Sequence, residues 1–176
     1  MTPNEKSKVL SEALPYIKKF FGKTIVIKFG GNAMVDAKLK QSFAKDVVLL
    51  KLVGMNPVII HGGGPQINDS LDVFGKKPSF VEGIRVTDEE TMGIVANVLN
   101  EINKEIVSLI KENGGDANSY SNKKKIGIIK AKKLQVQGKS IDLGYVGEIV
   151  SIDPSFMKEL KDDGIIPIIA PIGIDS

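Results

Sequence analysis

"NPVIIHGGGPQI", residues Asn56 to Ile67, decides the fold class of this chain. Pro57 to Ile60 is an apolar run of the kind that becomes a buried strand, and it stops abruptly at His61, three glycines and Pro65. Consecutive glycines cost backbone entropy on folding, so a fold that uses three together needs bare backbone there for something to come very close. Pro65 suits a first helical turn, where no amide hydrogen bond is lost, and a helix is predicted over Pro65 to Phe74.

The preceding segment has the same grammar. "TIVIKF", Thr24 to Phe29, is a short β-rich run ending at Gly30-Gly31-Asn32, and Ala37 to Val53 is helical in pattern. Strand, glycine turn, helix and strand form a βαβ unit, which implies a parallel sheet with a right-handed crossover. Residues 8 to 20 carry Val9, Leu10, Leu14, Ile17 and Phe20 at near-helical spacing, with Pro15 predicting a bend, so residues 1–22 read as a kinked amphipathic helix ahead of the main fold at 23–176.

Downstream, "KPSFVEGIRVTDEE" predicts a small hairpin around Glu82-Gly83. It leads to Thr87 as N-cap, with Glu90 completing a capping box, of a helix over Asp88 to Glu112. That helix presents Met92, Val95, Val98, Leu99, Ile102, Ile106 and Leu109, and stops at Asn113-Gly114-Gly115. "IGIIKAKKLQVQ" and "DLGYVGEIVSID" read as strands of hairpins added to the main sheet, Asp153-Pro154 opens a last helix to Asp163, and "IIPIIAPIGIDS" is a buried strand. So few residues follow this central-looking strand that the sheet reads as unfinished.

Composition narrows the function. The 176 residues are 42% hydrophobic and 26% charged, which suits one globular domain or a little more. A net charge of +3, from 24 basic and 21 acidic residues spread along the chain, gives little support to a nucleic-acid reading, which would want a basic face, and Lys123 to Lys125 reads as a solvated turn. With no cysteine, disulfides, Cys-ligated zinc and a thiol nucleophile are excluded, and a reducing cytoplasm fits. No run reaches the roughly 18 apolar residues of a membrane span, and "MTPNEKSK" leads into no signal-peptide core, so a soluble, unexported protein is expected.

In a doubly wound sheet ligands gather beyond the carboxyl ends of the strands, where both glycine turns fall, so the two should be neighbours. Each offers amides at a helix start, where the dipole favours phosphate or carboxylate, and Lys28 adds a full positive charge just before the first turn. Neither turn has the dinucleotide spacing Gly-x-Gly-x-x-Gly. Gly22-Lys23-Thr24 and Gly138-Lys139-Ser140 lack the earlier glycine of a P-loop. "HGGG" resembles the oxyanion turn of α/β-hydrolases, yet there is no Gly-x-Ser-x-Gly and the one histidine is His61 itself. Simple tight turns are the alternative, but two such turns in register, one preceded by Lys28 and one containing three glycines, favour anion binding.

"IVIKFGGNAM", "NPVIIHGGGPQI", "GIRVTDEE", "DLGYVGEI" and "IIPIIAPIGID" follow one another here in the order and rough spacing of the N-acetylglutamate kinases of the amino acid kinase family, which the chain resembles over about residues 8 to 176. The resemblance implies an α/β fold, a three-layer α/β/α sandwich with a mainly parallel sheet. It also implies ATP-dependent phosphorylation of the side-chain carboxylate of N-acetyl-L-glutamate in arginine biosynthesis, with Mg²⁺ accompanying ATP. It assigns the transferring phosphoryl group to Lys28, the ATP phosphates to Gly30, Gly31 and Asn32, acetylglutamate to the amides of Gly63 and Gly64, and its α-carboxylate to Arg85. The chemistry agrees: a carboxylate nucleophile with a pKa of about 4.3 is already ionised and needs no general base, so the difficulty is bringing an anion to a polyanion. Arg85 suits a planar carboxylate. His61 reads more readily as a residue orienting its turn than as a proton carrier, and Thr87 and Asp88 as helix-capping groups.

The N-terminal helix is similar to the extra helix of the arginine-inhibited, hexameric branch. The resemblance therefore extends to a homo-oligomer, dimer or hexamer, and to L-arginine as a feedback inhibitor; ordinary packing of that helix is the alternative. Two departures stand out. "SYSNKKK", Ser119 to Lys125, replaces a glycine-rich loop of the family, and motifs for the second phosphoryl-stabilising lysine and most of the nucleotide pocket have no match in these residues. A non-catalytic acetylglutamate-binding or assembly module is thus the competing expectation.

Overall fold

β1 (Thr24–Phe29) and β2 (Asn56–His61) pair in parallel, with Thr24 opposite Asn56 and Phe29 opposite His61. The computed structural model describes residues 1–120, 128–135, 142–155 and 163–175. β8 (Ile166–Ile169) runs parallel to β2, and β5 (Ala117–Tyr120) parallel to β8, giving a four-stranded sheet in the order β1-β2-β8-β5. β5 has no counterpart in the sequence reading. "ANSY" is short and polar, and only Ala117 and Tyr120 are buried, so its strand character comes from pairing with β8 and not from an apolar pattern.

One face of this sheet carries α2 (Ala37–Leu52) and α4 (Glu89–Glu112). Phe29, Ile59, Ala117, Ile166 and Ile168 meet Ala44, Val47 and Val48 from α2 and Ile102, Ile106 and Ile110 from α4. Phe29 stacks on Phe43 with ring centroids 3.9 Å apart. Asn103, buried in the middle of α4, donates from Nδ2 to the Ile168 carbonyl at 3.1 Å and fixes the helix to the central strand. On the opposite face Val58, Tyr120 and Ile169 pack with Ile128, Ile129 and Ile165, while Val26 on β1 stands exposed. α3 (Gly64–Val73) leaves the end of β2 and packs Ile67 and Leu71 against Ile94, Leu99 and Ala170.

The hairpin forms as expected, from β3 (Phe80–Val81) and β4 (Ile84–Arg85), turning through Glu82 and Gly83 at φ 51° and 79°. The cap of α4 does not. Asp88, not Thr87, is the N-cap: its carboxylate accepts from the Thr91 amide at 2.7 Å, while the Thr87 hydroxyl donates to the Arg85 carbonyl at 3.2 Å. Glu90 pairs with Lys76 at 2.7 Å instead of closing a capping box.

β6 (Ile129–Lys133) and β7 (Gly147–Ile152) are antiparallel, but they form a separate three-stranded sheet with β9 (Ile174–Asp175), in the order β7-β6-β9, and do not extend the main sheet. The terminal apolar run is therefore two strands, broken after Ile169, one in each sheet. The helix expected over Asp153 to Asp163 falls mostly on residues 156–162, and the Lys123 to Lys125 cluster on 121–127; both lie outside the described residues. α1 (Pro3–Phe20) begins five residues before the apolar pattern, because Thr2 and Glu5 form a reciprocal capping box. None of its 18 described residues is buried, and Pro15 lies within it. No helix among the described residues is long and apolar enough to cross a membrane.

Candidate functional site

The parallel register of β1 and β2 brings the two glycine turns side by side. Phe29 and His61 are partners, and the next amide, that of Gly62, donates to the Phe29 carbonyl at 2.9 Å, so pairing continues into the loops before they part. Beyond Phe29 the chain passes Gly30 and enters a 3-10 turn at Gly31–Met34, where Gly31 takes φ 65°. Asn32 belongs to this turn. Beyond His61, Gly63 is the N-cap of α3, and the helix start receives no side-chain cap. Its first amides are therefore left for a ligand or solvent, and the helix dipole makes them attractive to an anion. Gln66, in the first turn of α3, donates from Nε2 to the Met34 carbonyl at 3.2 Å and ties the second loop to the end of the first.

The three glycines have different neighbours. A Cβ at Gly62 or Gly64 would meet nothing within 4 Å, whereas one at Gly63 would press on Ile102 Cδ1 and Leu99 Cδ2, both at 2.9 Å. Gly63 is thus bare so that α4 can approach; the open space lies at its neighbours. His61 is buried, its Nδ1 is 2.9 Å from the Gly62 carbonyl and its Nε2 has no partner among the described residues. Burial pulls its pKa below the ordinary value, against the opposing effect of the Gly62 carbonyl, so a neutral ring holding the turn fits better than a proton carrier.

Lys28 is exposed, on the face of β1 opposite to Phe29 and in register with Ile60. It lies one residue before the glycine turn, on the same face as the exposed Val26 and away from the helices.

Arg85 comes from β4. Its Nη2 donates to Asn68 Oδ1 of α3 at 2.5 Å, and its guanidinium carbon lies 4.7 Å from the centre of the Phe80 ring, across the hairpin. Nη1 is buried with no partner among the described residues. Desolvation lowers the Arg85 pKa, a penalty on the charged form that an arriving anion would relieve. Asn68, Phe80 and Gln66 escaped the sequence reading. The Asn68 and Gln66 contacts span 17 and 32 residues, distances over which no local spacing rule operates, whereas Phe80 faces Arg85 across the expected hairpin, a pairing that the turn at Glu82-Gly83 already implied.

Two supports hold the hairpin. Lys76 bonds Asp88 at 3.1 Å and Glu90 at 2.7 Å, and the Asp88 carboxylate, held by Thr91 and then by Lys76, titrates at about 2. On the other side, Leu143 to Tyr145 lies against Thr87: the Thr87 amide donates to the Leu143 carbonyl at 2.9 Å, and the Tyr145 amide to the Thr87 carbonyl at 2.7 Å. Among the described residues no three His, Cys, Asp or Glu side chains come together as a cation site.

Comparison with known proteins places this arrangement. The model of the amino acid kinase family matches residues 23–176. The acetylglutamate kinase of Methylobacillus flagellatus is 58% identical over 98% of this chain and 60% of its own length, and that of Cupriavidus metallidurans 54% identical over 98% and 58%. The chain thus spans about 60% of the length of these curated relatives. Among solved structures, an N-acetylglutamate synthase from Neisseria gonorrhoeae, complexed with coenzyme A and N-acetyl-glutamate, shares the fold at TM-score 0.80 and 24% identity, over 94% of this chain and 37% of that one. The protein smu.665 from Streptococcus mutans aligns at TM-score 0.76 and 26% identity, over 87% and 60%.

Proposed function

The chain belongs to the amino acid kinase family, and we propose that it is the acetylglutamate-binding part of an acetylglutamate kinase, which transfers the γ-phosphoryl group of ATP to the side-chain carboxylate of N-acetyl-L-glutamate. The observation that carries this reading is the register of β1 and β2, which opens two glycine loops side by side at one end of the sheet, the second of them at a helix start with no side-chain cap. One loop receives each reactant.

In this reading the backbone at Gly30, Gly31 and Asn32 receives the ATP phosphates, and the amides at Gly63 and Gly64 receive acetylglutamate at the dipole-positive start of α3. Arg85 grips the α-carboxylate through the Nη1 edge that has no partner among the described residues. Lys28 carries the positive charge that faces the phosphoryl group in flight. The acceptor is already a carboxylate, so no proton need be removed, and a buried, neutral His61 is consistent with that. Magnesium would arrive with the nucleotide, ligated by its phosphates.

Titration calorimetry of the chain with N-acetyl-L-glutamate and, separately, with Mg-ATP tests the reading. Acetylglutamate binding that Arg85→Ala weakens at least tenfold is expected, since a charge-assisted pair contributes roughly 1.5–3 kcal/mol. Binding that is unaffected by Arg85→Ala would remove Arg85 from the site, and no binding at all would overturn the assignment for this chain.

A second role attaches to α1. Val9, Leu10, Leu14 and Phe20 are exposed on a helix none of whose residues is fully buried, Ala13 and Ile17 being only partly covered, which favours an assembly element packing on a second copy. Deleting residues 1–20 should shift sedimentation toward a smaller species while leaving the unfolding midpoint nearly unchanged. A lowered midpoint with unchanged mass would make α1 a packing helix instead.

A further inference from the structure

We infer that Asn68 and Phe80 are positioning residues that fix the guanidinium of Arg85 for a carboxylate, and so set how strongly the site prefers ligands bearing one at that end. The inference rests on the reading of Arg85 as the α-carboxylate grip. Arginine only donates, so the atom of Asn68 facing Nη2 at 2.5 Å is its carbonyl oxygen. This neutral acceptor holds one edge of the fork without cancelling its charge, as an Asp there would. Phe80 is cross-strand partner of Arg85 in the two-residue ladder, and its ring covers one face of the guanidinium plane at 4.7 Å. With one edge held and one face covered, the buried Nη1 is the part left to bind. A planar donor already fixed in orientation loses less side-chain freedom when the anion arrives.

The probe is a pair of ligands, N-acetyl-L-glutamate and 4-acetamidobutyrate, which is the same molecule without the α-carboxylate. Their affinity ratio, measured by titration or displacement, reports on Arg85 alone and is not moved by a general loosening of the fold. The wild-type chain should prefer acetylglutamate, and Arg85→Ala should bring the ratio near one. Asn68→Ala should reduce the ratio about three- to tenfold, the scale of one side chain's ordering cost, with little change for 4-acetamidobutyrate. Asn68→Asp, which keeps an acceptor but adds a negative charge, should reduce it further. Phe80→Leu should reduce it less; Phe80 is half-exposed, so this variant keeps the test available if Asn68→Ala fails to fold.

Should Arg85→Ala erase the preference while Asn68→Ala, Asn68→Asp and Phe80→Leu all leave it intact, the positioning role is overturned and the proposed function stands. A ratio untouched by Arg85→Ala, or a wild-type chain that binds neither ligand, would overturn the reading of the site and the positioning role with it.

Discussion

Gly144→Ala tests the contact that holds the Arg85 hairpin from behind. Gly144 has φ 72°, and a methyl there would sit 2.0 Å from the Thr87 carbonyl oxygen, 2.6 Å from its carbon and 3.2 Å from the Asp88 nitrogen. These are backbone atoms in a bridge between Thr87 and Gly144, so no side-chain rotation can make room. The left-handed conformation alone costs an L-residue about 1–2 kcal/mol. Displacing the strap also sacrifices the bonds between Thr87 and Leu143 and between Tyr145 and Thr87, each contributing about 0.5–1.5 kcal/mol net. Together the loss is about 2–5 kcal/mol. Gly83→Ala is the control, since φ there is 79° but nothing lies within 4 Å of the added methyl, leaving only the conformational cost of about 1–2 kcal/mol. Urea unfolding followed by circular dichroism compares the two variants. Hydrogen exchange at the Thr87 and Tyr145 amides shows whether the strap has come away locally. Equal losses for both variants, with exchange at those amides unchanged in Gly144→Ala, would refute the reasoning.

Acid should weaken the fold in two windows, read as the urea midpoint against pH. His61 has its folded-state pKa lowered by burial, so the unfolded chain binds the proton more readily; its contribution is complete above about pH 6.5 and declines as pH falls below that value. His61→Gln should flatten this first decline, and a decline that persists in the variant would assign it elsewhere. Asp88, held by Thr91 and Lys76 at about 2, contributes stability above its unfolded value near 3.8 that is lost as pH falls through about 2. Asp88→Asn, which keeps a capping oxygen without the charge, should shrink that second decline while retaining α4, the remainder coming from Asp142 and Asp153, whose carboxyls are also held below their ordinary values by hydrogen bonds, and an unaltered acid limb would discount the pairing.

Much of the fold was legible because its elements are locally encoded. β1, β2, α2, α3 and the hairpin lie within a residue or two of their expected bounds, each marked by an apolar run and a glycine, proline or aspartate at its edge. What was misread depends on partners distant in sequence. β5 is a strand because β8 lies beside it, and β6 and β7 leave the main sheet because β9 pairs with β6. The α4 cap was misjudged by one residue for a related reason: Thr87 is occupied on three sides, with its hydroxyl on Arg85 and its amide and carbonyl in the Leu143 to Tyr145 strap, so Asp88 caps the helix instead.

The site follows the same division. The glycine turns announce themselves in sequence because special backbone needs special residues, and their adjacency follows from two parallel neighbours of equal length. The direction of a side chain is not encoded that way. Arg85 could stand in a hairpin pointing to solvent with the same "GIRVTDEE" around it; the Asn68 carbonyl, the Phe80 ring and the strap behind Thr87 turn it back toward α3. If Arg85 grips a carboxylate as proposed, selectivity at that end is spread over residues 68, 80 and 144, and Gly144→Ala should erode ligand discrimination along with stability, although residue 144 meets Thr87 only through backbone.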